Sequence, residues 1–446
     1  MKRCLLYIFT GFALLFVYVK PASAAVLRVP QDYTSIETAY NAANNADEIV
    51  VSPGTYIVCL SGNRNKRIVL RAQFPATTSP TNQHSIINSN CSHVIQFSTP
   101  LDSDGIFQPG DHVEFVGFVL NGNQIQGVSS GTDDGFSYES ASGIVKDNII
   151  YGTTDDPVDI DGASEAHVIG NILKDGRGGG DGLENRLHSF SSSRDLKIIF
   201  RNNIFYNHNK DGIQLIGIIS GLTKRKYLIA NNLIINNTQA GLGTTGNAVS
   251  DQAQFPGGYP LPEKIYVINN TFVENGMGGI LGGANMVVHN NIFYNNSVVD
   301  LKNVSGNSVA SHNLFFGPAV DYEGSNVQSP NVTADPNFIN TSLPPNFESF
   351  QLGAASPAVD AGMVVNNIYT EFGVTPPGYS ENAPDLGWKE SGSTPPSSSP
   401  TPTPGQFTIA DLKILLAGYL GPQNQSYFPL DGKINMLDAG FVMSRL

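Results

Sequence analysis

Cysteine, tryptophan and charged side chains are all scarce in this sequence. Its 446 residues include three cysteines and one tryptophan, and charged residues make up 14% of the chain, against about 25% in an average soluble protein. So few cysteines exclude a fold that disulfides hold together. The formal net charge is −13 and the basic residues form no run. We therefore expect no nucleic-acid partner, because DNA and RNA require a basic surface.

Glycine is abundant instead, with 46 residues, and this composition disfavours a helical protein. The chain is also longer than one ordinary domain. It must therefore contain a second module, or a fold that grows by repetition.

The N-terminus has the pattern of an export signal. Two basic residues precede an apolar run at positions 4–19, and Ala22–Ala24 offers small residues for cleavage before residue 25. As a membrane helix the run would span about 24 Å, short of a hydrocarbon core of about 30 Å. We expect a signal peptide at residues 1–24 and a secreted, extracellular protein. Its remaining cysteines, Cys59 and Cys91, either pair or stay as two core thiols.

One short pattern recurs seven times between residues 147 and 317. Each copy has Asn at its second position and a large apolar side chain two positions later. The copies lie 21 to 38 residues apart, so the repeating unit has about 22 residues with insertions. The asparagines are Asn148, Asn171, Asn203, Asn232, Asn270, Asn291 and Asn313. The apolar residues are Ile150, Leu173, Phe205, Ile234, Phe272, Phe293 and Phe315.

A repeat of this kind predicts a stack of strands. One short strand with a single inward apolar side chain cannot bury its own face, so it must pack on copies of itself. Stacked parallel strands lie about 4.8 Å apart, and each aligned position becomes a ladder. An Asn amide can donate and accept along such a ladder, whereas an unpaired buried amide would cost about 1–3 kcal/mol. We therefore predict an inward asparagine ladder with a structural role.

Together with this repeat, motifs at both ends of residues 26–390 resemble the right-handed parallel β-helix of pectate-lyase-like proteins. The opening at residues 29–56 is similar to that of extracellular members, in which a short helix caps the coil. The motifs at 335–338, 356–362 and 385–388 resemble the closing rungs of secreted β-helix proteins. The resemblance implies an all-β solenoid with an N-terminal capping helix, in a family whose functions differ.

The residues themselves also predict the capping helix. Ile36, Ala39, Tyr40 and Ala43 follow helical spacing, which is typical of an amphipathic helix. Thr34 and Ser35 are both possible N-caps.

A second module is expected at the C-terminus. Residues 391–405 are rich in Pro, Ser and Thr and predict an extended linker. Residues 406–446 resemble a degenerate dockerin, which implies a small α-helical module, calcium binding and a cohesin-like or cell-surface partner. The calcium ligands would be Asp431, Asn435 and Asp438. Tyr427 and Pro429 stand where two further ligands belong, so calcium binding and docking both stay open.

A column of aspartates precedes the second strand of three successive rungs, at Asp156, Asp181 and Asp211. Later rungs have uncharged residues there. Carboxylates about 4.8 Å apart repel each other unless a cation, a proton or an arginine lies between them. The column therefore predicts calcium bound at these three residues, raised pKa values of their carboxyl groups, or both. The alternative is turn chemistry, because Asp followed by Gly suits the turn before a strand.

Residues along each of these strands alternate between the two faces of the sheet. With apolar residues inside, we expect polar side chains on the outer face, in a groove open to solvent. The candidate substrate-binding residues are Asp159, Asp161, Glu184 and Gln214. The candidate catalytic residues are Asp181, Arg186, Lys210 and His188.

Two reactions fit such a surface. A lyase would use calcium and arginine to neutralise a uronate carboxylate, and Arg186 or Lys210 would remove the adjacent proton. A glycoside hydrolase would use two carboxyl groups about 5–5.5 Å apart, or about 6.5–9.5 Å apart. The Asn-Thr-Asp, Gly-His-Gly and Arg-Ile-Lys motifs of polygalacturonases are absent from the sequence, as is the Arg-x-Pro-x-x-Arg motif of pectate lyases.

We favour a monomeric protein that acts on polysaccharide, with lyase preferred over hydrolase. The alternative, from another class, is a non-catalytic extracellular carbohydrate-binding or adhesion protein that uses the same groove.

Overall fold

The computed structural model describes residues 24–62, 66–88, 94–98, 112–121, 134–139, 142–162, 165–176, 179–187, 196–217, 224–246, 251–379 and 382–391. The predictions for the signal peptide, the linker beyond residue 391 and the dockerin-like module, with Asp431, Asn435 and Asp438, fall outside these residues. So do His188 and Cys91. Cys59 is described and is disulfide-bonded. None of the helices within these ranges has the length and hydropathy that a membrane span requires.

Three parallel sheets wind into one coil, and the all-β, right-handed parallel β-helix is confirmed. The first sheet contains β1 (Val26–Val29), β2 (Glu48–Val51), β5 (Arg67–Ala72), β8 (His112–Val116), β11 (Ser142–Lys146), β14 (Glu165–Ile169), β17 (Leu196–Arg201), β20 (Arg225–Ala230), β23 (Lys264–Ile268), β26 (Met286–His289) and β29 (Val309–Ser311). The second contains β3 (Gly54–Ile57), β6 (Ser85–Asn88), β9 (Val119–Asn121), β12 (Ile149–Tyr151), β15 (Ile172–Lys174), β18 (Ile204–Tyr206), β21 (Leu233–Ile235), β24 (Thr271–Val273), β27 (Ile292–Tyr294), β30 (Leu314–Phe316) and β32 (Val332–Thr333). The third contains β4 (Leu60–Gly62), β7 (Ile95–Ser98), β10 (Phe136–Glu139), β13 (Val158–Asp161), β16 (Leu183–Leu187), β19 (Ile213–Gly217), β22 (Ala240–Gly246), β25 (Gly278–Leu281), β28 (Val299–Lys302) and β31 (Val320–Glu323).

The N-terminal capping helix forms as predicted. Helix α1 spans Ile36–Ala42, and Ser35 is the N-cap, exchanging hydrogen bonds with Thr38 in a capping box. Its apolar face packs into the interior of the coil, where Tyr40 lies 5.8 Å from Phe97 between ring centres. The helix therefore buries the end of the stack that would otherwise be open.

The asparagine ladder runs along the interior as the repeat predicted. All seven side chains are fully buried. Asn232 is representative: its Nδ2 donates to Oδ1 of Asn270 at 2.9 Å and to the Phe200 carbonyl at 2.9 Å. Its Oδ1 accepts from the backbone N–H of Asn203 at 2.9 Å. The large apolar residues of the repeat pair in register beside the ladder and form the core.

A second polar ladder lines the corner between the second and third sheets. The backbone N–H of Asn237 donates to Oδ1 of Asn275 at 3.2 Å, and that of Asn275 donates to Asn296 at 3.0 Å. A Cβ on Gly212 would lie 2.8 Å from the Asn237 amide nitrogen. Glycine is therefore required beside this ladder because the chains approach so closely.

The prediction of closing rungs at residues 335–388 is wrong. Within the described residues the last strand is β32, and the chain after it packs on the outside of the coil, with helix α2 (Asn366–Glu371) against the first sheet. Trp388 and Phe350 cover apolar side chains of the second sheet, and Trp388 donates to the Phe350 carbonyl at 3.3 Å. The outward side chains of that sheet are apolar here, so covering them removes apolar surface from water.

Candidate functional site

A ladder of aspartates forms the corner before the third sheet. Oδ1 of Asp134 accepts from the backbone N–H of Asp156 at 3.4 Å, and Oδ1 of Asp156 accepts from Asp181 at 2.5 Å. Asp181 in turn accepts from Asp211 at 2.7 Å, and Asp211 accepts from Ala240 at 2.6 Å. One oxygen of each carboxyl group therefore accepts a backbone N–H from the next rung, 22 to 30 residues later in the chain, and not a hydrogen bond within its own turn. These hydrogen bonds do not account for the second oxygen of each carboxyl group.

Burial raises the pKa of three carboxyl groups in this ladder, those of Asp156, Asp181 and Asp211. Asp156 and Asp181 are almost inaccessible, and burial followed by the charges of neighbouring carboxylates holds the pKa of both well above its usual range. Burial raises the pKa of Asp211 to about 7, although its hydrogen bonds work against the rise. A stack of buried carboxyl groups favours protons or a cation over free charge.

The outer face of the third sheet holds three of the four predicted substrate-binding residues in one row. The register pairs Asp159 with Glu184 and Glu184 with Gln214, and the apolar residues between them point into the core. The predicted faces are correct. The prediction that these side chains are open to solvent is wrong, because Asp159 is 6% exposed, Glu184 2% and Gln214 0%.

The chain segment at residues 251–261 covers part of this face. A Cβ on Gly243, which pairs with Gln214 on the outer face, would overlap Oε1 of Gln252, whereas Leu261 packs in the interior of the coil. This segment follows β22 and returns across the end of the sheet. Repeat periodicity does not reveal such a cover, because the segment is an insertion without a counterpart in other rungs.

Arg186 binds the carboxylates beside it. Its Nε forms an ion pair with Oε1 of Glu184 and lies 3.8 Å from Oδ1 of Asp161. Burial disfavours the charged guanidinium, but the Glu184 and Asp161 carboxylates outweigh it and raise the pKa of Arg186. The side chain is 38% exposed, so one edge of the guanidinium reaches solvent.

Lys210 lies over the acidic corner. A Cβ on Gly179 would be 4.0 Å from the Lys210 Nζ, and Gly179 donates to the Thr154 carbonyl at 3.1 Å, next to Asp155. The Lys210 charge offsets part of the pKa rise that burial causes in Asp181 and Asp211. The structure therefore brings Lys210 to the aspartate ladder, and both Lys210 and Asp155 are half-buried.

Three groups of carboxylates place their oxygens within 4.8 Å of one another. The groups are Asp134, Asp155 and Asp156; Asp156, Asp181 and Glu184; and Asp159, Asp161 and Glu184. Arg186 already contributes positive charge to the last group. The first group is open at Asp155 and consists of oxygen donors, which are the ligands that calcium prefers. It fits a calcium ion that is shared with a ligand from solvent.

Sequence reasoning missed Asp134 and His208. Asp134 precedes Gly135 as Asp181 precedes Gly182, so the Asp-Gly signal was present. His208 is fully buried, its Nε2 lies 3.0 Å from the Leu173 carbonyl, and burial lowers its pKa to about 4. Its backbone N–H donates to Asn237 at 3.2 Å, so it starts the second polar ladder and has a structural role.

Comparison with known proteins finds only distant structural matches. No protein-family model matches the sequence, and no curated protein matches it. The chain superposes on the pectate lyase Pel9A with a TM-score of 0.49 at 12% identity, over 82% of this chain and 97% of that chain. A rhamnogalacturonan lyase gives a TM-score of 0.40 at 12% identity, over 78% and 98%. A PL6 family polysaccharide lyase from Pseudopedobacter saltans gives 0.31 at 14% identity, over 70% and 94%. The identification of the β-helix rests on the three sheets themselves.

Proposed function

We propose that this protein is an extracellular polysaccharide lyase that cleaves a uronate-containing glycan by β-elimination. The observation behind this proposal is the position of Lys210, whose charge acts on Asp181 and Glu184, beside the rungs on which Asp134, Asp155 and Asp156 gather their oxygens. A base beside a calcium-binding group is the arrangement that proton removal next to a carboxylate requires.

In the reaction, Lys210 as the neutral amine takes the proton from the sugar carbon next to the carboxylate. The bond from the neighbouring carbon to the glycosidic oxygen then breaks, a carbon–carbon double bond forms, and the departing oxygen takes a proton from water. Asp134, Asp155 and Asp156 would hold the calcium. When bound, calcium neutralises the substrate carboxylate and stabilises the charge that develops beside it.

Lys210 is a better base than Arg186. The ion pairs of Arg186 with Glu184 and Asp161 raise its pKa and oppose loss of its proton. Its exposed edge instead suits binding of a substrate carboxylate, because a guanidinium forms paired hydrogen bonds with carboxylates. Lys210 therefore acts as the base and Arg186 as a substrate-binding residue.

The burial of the carboxyl groups favours a lyase over a hydrolase. A hydrolase needs two carboxyl groups that reach opposite sides of the glycosidic bond. Asp156 and Asp181 are buried in the ladder, and Glu184 is 2% exposed and paired with Arg186. Asp181, a candidate catalytic residue in the sequence, would then support the site without touching substrate.

A panel of uronate-containing and neutral polysaccharides tests the proposal. Ultraviolet absorbance measures unsaturated uronate products, and a reducing-end assay measures any cleavage. We expect absorbance that depends on calcium and falls at least about a hundredfold in Lys210→Ala, within the range of general base catalysis. Lys224→Ala, at an exposed lysine, is the matched control.

Three other outcomes would contradict the lyase proposal or the role of Lys210. Reducing ends without absorbance would identify a hydrolase. Glycan binding with silence in both assays would identify the non-catalytic alternative. Full absorbance in Lys210→Ala would contradict the role of Lys210 as the base.

A further inference from the structure

The outer face of the third sheet contains a second polar centre, two rungs beyond Asp156 and next to Lys210 in the sequence. It is formed by Asp211, Gln214 and Gln252, and all three side chains are fully buried. Gln252 belongs to the covering segment at residues 251–261, which Gln239 anchors through a 2.9 Å hydrogen bond from its Nε2 to Asp251. The centre is therefore enclosed between the sheet and this segment.

Gly243 leaves the space for this centre. A Cβ at Gly243 would overlap both Oδ2 of Asp211 and Oε1 of Gln252, so both oxygens border the space that the missing side chain leaves. Gln252 donates its Nε2 to the Phe255 carbonyl, and this bond fixes the direction of Oε1.

Several oxygens here accept no hydrogen bond. Oε1 of Gln252, Oε1 of Gln214 and Oδ2 of Asp181 are all buried and unpartnered. Oδ2 of Asp211 accepts from Gln214 Nε2 at 3.1 Å. A buried acceptor without a donor costs about 1–3 kcal/mol, and more for a charged group. The oxygens therefore need a hydrogen-bond donor or a cation.

A proton on Asp211 could bridge to Gln252, but it would leave Oδ2 of Asp181 and Oε1 of Gln214 without partners. A cation at Oδ2 of Asp211 and Oε1 of Gln252 would have as neighbours Gln214, which donates to Asp211, and Asp181, which accepts from the Asp211 backbone N–H. Carboxylate and amide oxygens without nitrogen or sulfur donors are the ligand set of calcium. Two adjacent carboxylates also supply the charge that a divalent ion requires.

We propose that a second calcium ion binds between Asp211 and Gln252, with Asp181 and Gln214 as the neighbouring oxygen donors. This site is distinct from the group of Asp134, Asp155 and Asp156, and it does not depend on the proposed reaction. By joining residue 252 to the sheet, the ion would fasten the covering segment onto the coil.

Native mass spectrometry of the full-length chain with added calcium tests the site. We expect Gln252→Leu and Gly243→Ala each to bind one calcium ion fewer than wild type, the second because its Cβ fills the space between the oxygens. The exposed neighbour Gln254→Leu is the matched control and should bind as many ions as wild type. Asp155→Asn should remove a different calcium ion, so a chain with both Asp155→Asn and Gln252→Leu should bind two ions fewer than wild type.

A second variant keeps the test informative if Gln252→Leu fails to fold. Gln252→Glu adds a carboxylate, so it should bind calcium at least about tenfold more tightly in calorimetry and melt at a lower temperature than wild type when calcium is removed. Equal ion counts in wild type, Gln252→Leu and Gly243→Ala would overturn the proposal and favour a proton bridge. Unchanged affinity in Gln252→Glu would do the same.

Discussion

Tyr227 donates a 2.7 Å hydrogen bond from its hydroxyl to Oδ1 of Asn185 inside the coil. Both side chains are buried, and Tyr227 packs within the apolar core cluster. Asn185 also donates to the Ile160 carbonyl, and it lies in β16 between Glu184 and Arg186. The bond therefore fixes from the inside the strand that presents these two residues on its outer face.

Removing one partner of this bond should destabilise the coil more than removing both. Tyr227→Phe leaves a buried amide oxygen without its donor, so we expect a loss of about 1–3 kcal/mol in the free energy of unfolding. The double variant Asn185→Leu with Tyr227→Phe should recover most of that loss, because Leu215 occupies the same register position one rung later. Chemical denaturation of the two single variants and the double variant measures the coupling. Additive losses would show that the bond contributes nothing.

Much of the fold follows from the sequence because one physical requirement repeats in every rung. Each of the seven asparagines lies at a bend that needs a donor and an acceptor along the stack, so the column is visible as a pattern. The pattern did not reveal the rung of Asp134, because that rung has Phe118 in place of the ladder asparagine. The backbone N–H of Phe118 still donates to Oδ1 of Asn148 at 2.8 Å.

The candidate site was harder to predict because its burial depends on distant segments. Asp159, Glu184 and Gln214 were placed on the correct face, since alternation along a strand is local. Their accessibility depends on contacts that periodicity does not encode, such as those of residues 251–261. The same holds for residues 335–388, where motifs that resemble rungs pack outside the coil because the second sheet offers apolar side chains there.

Asp300 should make the stability of the coil depend on pH. It is 2% exposed, burial raises its pKa to about 7, and Asn296 donates to it at 2.8 Å. Because the folded pKa exceeds the unfolded value of about 3.9, the folded state binds the proton more tightly. Asp300 therefore does not lower the free energy of unfolding below about pH 4, and its destabilising effect grows as pH rises towards 7.

Asp300→Asn removes this cost while keeping an oxygen for Asn296. We expect the variant to melt several degrees higher than wild type at pH 8, since three pKa units correspond to about 4 kcal/mol at most. At pH 4 the two proteins should melt together, which controls for any change in packing. If wild type and Asp300→Asn melted at the same temperature at pH 8 as well as at pH 4, ionisation of Asp300 would not destabilise the folded state.

The outer layer at residues 334–391 should be essential to the coil, whereas the residues after it should be dispensable. Truncation after Ser391 removes a Pro-rich linker, which transmits little packing energy, so the melting temperature of the coil should stay nearly unchanged. The described chain supports this boundary, because the Ser391 backbone N–H still donates to Asp385 at 2.5 Å.

Truncation after residue 333 should have the opposite result. It exposes apolar side chains of the second sheet, among them Leu233 and Val273, which Trp388 and Phe350 cover. Full burial of each such side chain contributes about 1.5–3 kcal/mol, so loss of the layer should lower the melting temperature by many degrees or cause aggregation. Trp388→Ala is the milder version and should cost about 3–5 kcal/mol, as aromatic truncations in cores do. Calorimetry of the two truncated chains and Trp388→Ala measures the melting temperatures. A large drop in melting temperature on truncation after Ser391 would instead show that the C-terminal residues dock on the coil.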